Sequence, residues 1–274
     1  MTRWTVDGPQ RLPIDEPVTR LDVNMISGRL NVVGGDGPAR VEVTRVGRKP
    51  LTVGVEGGVL SVRHERKPRW PDFMWWWFGR NRYGADVSIA VPRSTIADLR
   101  VIDGSIVASD LRAGAEVSVT SGRITLLGLD GRVSAKLISG PVEAVGVNGD
   151  LTMETISGEL TLADSTAARV HGTTVSGAIT CDLDNPAGSD IRLSTTSGQI
   201  TVRIREDSDL SVHLHTTSGR ITSAFAGLTV DRSVPWGLKD IRGQLGLGTG
   251  RLYVTSTSGS VSLLARPVDD EVGP

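Results

Sequence analysis

Cut into units of about nine, residues 121–165 read SGRITLLGL, DGRVSAKLI, SGPVEAVGV, NGDLTMETI and SGELTLADS. Each unit opens on a small polar residue and then, in every case, Gly. Each then alternates apolar and polar. Ile124 and Leu126 point one way, with Arg123 and Thr125 the other. Val133, Ala135 and Leu137 alternate with Ser134 and Lys136. Period-two alternation bounded by glycine turns predicts short strands with one buried face. Helical repeats are excluded by this alternation and by the glycine density.

Working outward, the Ser-Gly pair recurs at Ser27-Gly28, Ser121-Gly122, Ser139-Gly140, Ser157-Gly158, Ser176-Gly177, Ser197-Gly198, Ser218-Gly219 and Ser258-Gly259. Asp103-Gly104 joins the series. From Gly104 the glycine spacings run 18, 18, 18, 19, 21, 21 and 40. A fixed period near 20 residues is the mark of a stacked array. An aliphatic residue stands two positions past each Gly: Leu30, Ile106, Ile124, Val142, Leu160, Ile179, Ile200, Ile221 and Val261. The expected fold is therefore all-β. It is a β-solenoid, a single-stranded β-helix of about 18–21 residues per coil, filled by an aliphatic ladder. Glycine suits the corners because it reaches positive φ without a Cβ clash. A β-sandwich or barrel also spaces short strands closely. It would not keep the same letters in the same register over so many units.

Three regions are expected: an irregular N-terminal β cap over 1–100, solenoid repeats over 101–265, and a disordered tail over 266–274. The wide gap from Gly219 to Gly259 is expected to hold two coils, with a degraded turn near Gly237 or Gly243. The cap holds strand candidates such as Leu60/Val62 and Val87/Ile89/Val91. Terminal repeats differ because they close the core against water.

Composition narrows the function. The net charge is −1 over 274 residues, so no global field attracts nucleic acid, and none is expected as a partner. Aromatics make up 4% against 33 glycines, which suits thin coils filled by Val, Ile, Leu and Ala. The one cysteine, Cys181, excludes an internal disulfide framework and, as a small buried hydrophobe, takes a position where other coils carry Leu126, Ala144, Leu162 and Val202. No signal-like apolar stretch opens the chain, and no run of about 18 apolar residues exists. A cytoplasmic location, membrane-peripheral at most, is the expectation.

The sharpest departure from the repeat is residues 63–83, RHERKPRWPDFMWWWFGRNRY. It is read as a long aromatic hairpin loop between two strands. Candidate contact residues are Arg66, Lys67, Arg69, Trp70, Phe73, Trp75, Trp76, Trp77, Phe78, Arg80 and Arg82. Aromatic rings between basic flanks suit a protein interface or the surface of an anionic membrane. They equally suit packing back onto the fold.

Other chemistry is thinner. His213 and His215 share a strand face, but two ligands are too few for a metal site, so none is expected. Asp182 and Asp184 also share a face, like the acid and base of polysaccharide-cleaving enzymes. They run into an Asn-Pro turn, where Asp is common for structural reasons. No phosphate-cradling loop is present and no cofactor is expected.

Val87-Ser-Ile-Ala-Val-Pro92, Leu99-Arg-Val101 and the serial TSGRIT, ISGEL, VSGAIT, TSGQITV, TSGRITS and TSGSVSL segments resemble a bacterial β-strand-repeat family. That family is called domain of unknown function 4097 and carries the label "putative adhesin". The likeness spans about residues 15–265 and implies a β-solenoid. The resulting expectation is a non-enzymatic scaffold that binds a protein partner or self-associates. Two alternatives stand beside it. One is a carbohydrate-active or carbohydrate-binding β-helix protein. The other is a peripheral membrane protein using the tryptophan stretch.

Overall fold

Inward-facing aliphatics stack in straight columns, as the alternation requires. The computed structural model describes residues 2–64, 83–183, 188–230 and 239–267. The chain divides into two compact units, Met1–Leu137 and Ile138–Pro274. Every regular element among the described residues is a strand.

In the first unit, β3 (Arg20–Gly35), β8 (Ile96–Ser109) and β9 (Ala115–Leu127) each run through a glycine corner. β8 pairs in parallel with both β3 and β9. The register aligns Val23, Leu99 and Val117 before the corner, and Leu30, Ile106 and Ile124 after it. All six are buried. Each contributes on the order of 1.5–3 kcal/mol when fully buried. The corner itself demands glycine. A Cβ at Gly104 would overlap the Gly28 carbonyl, and one at Gly122 would overlap that of Gly104.

The cap is narrower than 1–100, because β3 and the first half of β8 already belong to the parallel stack. Beneath β3 lie β6 (Val59–His64) and β7 (Gly84–Pro92), parallel to its two halves. Antiparallel strands finish the end. β5 (Leu51–Glu56) pairs with β6, and β1 (Thr2–Val6) with β5. β4 (Arg40–Val46) pairs with β7, and β2 (Gln10–Pro13) with β4.

In the second unit the strands before each corner form one ladder and those after it a second. β12 (Asp150–Ser157), β14 (Arg169–Ser176) and β16 (Asp190–Ser197) make the first. β11 (Val142–Val145), β13 (Leu160–Ser165), β15 (Ile179–Leu183) and β17 (Ile200–Arg205) make the second. Val142, Leu160, Ile179 and Ile200 align in one buried column. Cys181 lies between Leu162 and Val202 in the next column and is buried. Burial pushes its thiol up to about 12.

The far end of this unit corrects the expected order of coils. β18 (Leu210–Thr216) does not pair with β16. β22 (Gly250–Ser256) lies between them, parallel to both. β23 (Val261–Arg266) likewise lies between β17 and β19 (Ile221–Ser223). The glycine column therefore runs Gly177, Gly198, Gly259, Gly219. The cause is β21 (Lys239–Leu245), which lies antiparallel on β18. That reversal sends the chain back to the other side of β18. The segment from Gly219 to Gly259 thus holds an antiparallel excursion, and no degraded coil turn at Gly243.

Arg266 still belongs to β23, and residues 268–274 of the expected tail lie outside the described part. Among the described residues, no helix is long and apolar enough to cross a membrane.

Candidate functional site

The outer face of β18, β21 and β22 brings polar and aromatic side chains together. Alternation on β18 sends Val212 and Leu214 inward, which leaves His213 and His215 on the outer face. β21 then places Arg242 opposite His213 and Asp240 opposite His215. Parallel pairing sets Tyr253 of β22 beside His213 on its other side.

Asp240 is the hub. It is only 5% exposed. Its Oδ2 lies 2.9 Å from His213 Nε2 and 3.4 Å from His215 Nδ1. Arg242 donates from Nε to Oδ1 at 2.9 Å. Burial taken by itself would raise this carboxyl. The hydrogen bonds from Arg242 and His213 outweigh it and hold the group below the usual carboxylate range. An ionised carboxylate only accepts, so the His213 nitrogen bonded to it carries hydrogen. The His213 imidazole is therefore held in orientation by Asp240.

The Tyr253 ring meets His213 edge to face, with centroids 4.9 Å apart, and stays 43% exposed. Arg192 of β16 lies beside Tyr253, and His171 of β14 beside Arg192. Arg192 is itself held by Asp190 through two hydrogen bonds of 3.1 and 2.9 Å. The result is a file across five strands: His171, Arg192, Tyr253, His213, Arg242. It offers an aromatic platform, cationic groups and a pinned hydrogen-bonding ring. That chemistry suits recognition of a polar, partly aromatic or acidic surface.

Among the described residues, no group of three or more His, Cys, Asp or Glu is arranged to hold a metal ion. The shared face of His213 and His215 was legible from their spacing. Asp240, Arg242 and Tyr253 were missed, because the stretch holding Asp240 and Arg242 was assigned to a coil. The alternation Asp240-Ile-Arg-Gly-Gln-Leu245 carried the signal for a strand.

The eleven candidates from Arg66 to Arg82 lie outside the described residues. Their flanks are described, and they correct the hairpin reading. β6 and β7 do not pair with each other; they are the two halves of one coil beneath β3. Residues 65–82, which join those two halves, lie outside the described residues. At their base Arg63 pairs with Asp22. His64 is buried, and its Nδ1 accepts the Ile26 N–H at 3.2 Å. Tyr83 packs edge-on to it at 5.9 Å.

Asp182 is committed to ion pairs with Arg203 and, at 3.6 Å, with Arg266. The Arg203 hydrogen bond holds its carboxyl low. A general acid must instead keep a proton near neutral pH. Asp184 lies outside the described residues.

The model of one family, Toastrack DUF4097, matches residues 18–264. No curated protein matches the chain. Among solved structures, a "putative adhesin" from Bacteroides fragilis is 10% identical with a TM-score of 0.51, over 96% of this chain and 97% of that one. A "putative cell adhesion protein" from Clostridium sporogenes is 11% identical with a TM-score of 0.24, over 94% and 100%. A "putative lipid binding protein" from Parabacteroides distasonis is 13% identical with a TM-score of 0.39, over 94% and 97%.

Proposed function

The chain belongs to the Toastrack DUF4097 family, and on that premise we propose that it is a non-enzymatic β-repeat scaffold. In this reading it binds a protein partner through the outer face of its second unit. The observation that carries the reading is Tyr253. It is an exposed aromatic in mid-strand, braced by an imidazole that a buried carboxylate fixes in turn. Exposed Tyr beside Arg is the chemistry of interface anchors. Because the neighbouring His213 ring is already ordered, little side-chain entropy is lost on contact.

The test is a photo-crosslinking residue at position 253, with a control at Thr201 on the other ladder, expressed in the native host. One discrete adduct is expected at 253, weakened by His213→Ala and Arg242→Ala. Identical adducts at both positions, or none at either, defeat the proposal.

A second contact is proposed for residues 63–83, whose ends enter the fold at a coil corner. Its composition supports docking to protein or to anionic lipid. Wild type should sediment with anionic vesicles, and Trp75/Trp76/Trp77→Ser should not. Failure of the wild type to sediment removes the lipid reading. The polysaccharide-cleaving reading has no support from Asp182, whose carboxylate is held by two arginines.

A further inference from the structure

Coil 250–266 occupies a slot between two coils that precede it in sequence. On one side Ile200 N–H donates to Ser260 O at 2.9 Å, and Arg251 N–H to Ser189 O at 2.7 Å. On the other, Val261 N–H donates to Arg220 O at 2.8 Å, and Ser218 N–H to Thr257 O at 3.0 Å. Both edges of the coil are satisfied by backbone, and nothing in that bonding depends on which chain supplies it.

We propose that this slot accepts the last coil of a second copy, so that two chains join by exchanging residues 250–266. Three observations converge on this. First, the coils that flank the slot share the corner Thr-Thr-Ser-Gly, at 195–198 and at 216–219. Both walls of the slot therefore present the same corner to whichever copy's coil lies between them.

Second, the inserted coil reads Ser-Thr-Ser-Gly at 256–259 and keeps the common register with both neighbours. Any copy's coil therefore fits any copy's slot. Third, the link into the slot is the turn 246–249, where Gly246 and Gly248 sit at φ +57° and +67°. Rotation there redirects the coil while its own contacts are remade in the partner. Exchange of an identical element preserves every bond and depends on concentration and hinge strain. Tyr253 travels with the exchanged coil, but the exchange needs neither its ring nor a partner bound to that face, so the two proposals fail separately.

The test uses Ser194 and Thr255, whose hydroxyl oxygens lie 3.2 Å apart across the slot. Ser194→Cys and Thr255→Cys are made in separate chains, unfolded, mixed, refolded together and treated with a short bismaleimide. Native Cys181 is buried. Exchange is expected to give a covalent band of twice the chain mass from the mixture, rising with refolding concentration and absent from either variant alone. A chain carrying both substitutions reports that the geometry permits cross-linking. Two results overturn the proposal. One is a mixture that stays uncross-linked while the double variant closes on itself. The other is wild-type protein that stays monomeric by light scattering at every refolding concentration.

Discussion

In the first unit, the inward residue three places before the corner glycine is Met25, Val101 or Val119. In the second it is Thr155, Thr174, Thr195, Ser256 or Thr216, equally buried and aligned rung on rung. The hydroxyls fall into two groups. Thr155, Thr174 and Thr195 have no hydrogen-bond partner for Oγ1. Thr216 Oγ1 receives the Gly219 N–H at 3.1 Å and donates to Gly259 O at 3.0 Å. Ser256 Oγ receives the Gly259 N–H at 2.8 Å. The difference lies in where the glycine N–H points. Gly158 and Gly177 donate theirs to the next coil, at 3.1 Å each. The hydroxyl is satisfied only in the two coils stacked out of sequence order. Elsewhere in the column the second unit carries a buried polar cost of about 1–3 kcal/mol per group that the first unit avoids.

The corner glycine is common to both units, so it gives the largest effect and the least contrast. Gly122→Val and Gly177→Val should each cost at least about 3 kcal/mol, by backbone overlap and strain near φ +142° and +156°. A urea midpoint unchanged in either variant would break the common-corner half of the comparison.

Acid separates the units next. Burial pushes His64 in the first unit down from 6.5 to about 4. The unfolded chain takes up this proton before the folded one does. Stability should therefore fall as pH drops from 6.5 toward about 4, by about 3 kcal/mol at the low end. His64→Gln, which can still accept the Ile26 N–H, should flatten that part of the stability–pH curve. An identical slope in both proteins would remove His64 from the account.

The threonine column offers the sharpest contrast within one residue type. Thr216→Val should destabilise by about 1–3 kcal/mol, because it orphans the Gly219 N–H. Thr174→Val deletes a hydroxyl without a partner and should stabilise by about 1 kcal/mol. Equal denaturation midpoints for the two variants would show that the hydroxyls are alike after all.

The last contrast is a sign reversal between two carboxylates. Burial and the charges of Glu116 and Asp22 raise Asp98 in the first unit, while Asp240 in the second is held low. A raised carboxyl favours the folded state at low pH and opposes it once ionised. A lowered one supports the fold above its unfolded value of 3.8 and loses that support as pH falls. At neutral pH, Asp98→Asn should raise thermal stability slightly, and Asp240→Asn should lower it by about 1–3 kcal/mol. Melting temperatures that move in the same direction would refute the assignment.

The stack itself was legible because one short-range rule repeats. Gly104 and Gly122 must lack a Cβ, and Leu30, Ile106 and Ile124 must face inward two residues later. Coil order was not legible, because the rule is the same for every coil. Thr-Ser-Gly at 217–219 and at 257–259 fits either neighbour, and only the antiparallel β21 decides between them. The Tyr253 face went unseen for the same reason: its Asp240 and Arg242 arrive on that strand. Asp110 and Asp164 sit at positive φ, 57° and 50°, where neighbouring coils use Gly128 and Gly146. Aspartate tolerates that backbone region, which hides the second corner from a glycine count.

The sealed position of Cys181 turns the chain's one native thiol into a reporter. Packed between Leu162 and Val202 and strongly disfavoured as thiolate, it should resist alkylation for as long as those rungs stay closed. The speed at which a maleimide finds it then measures how often the second unit breathes, with no label added.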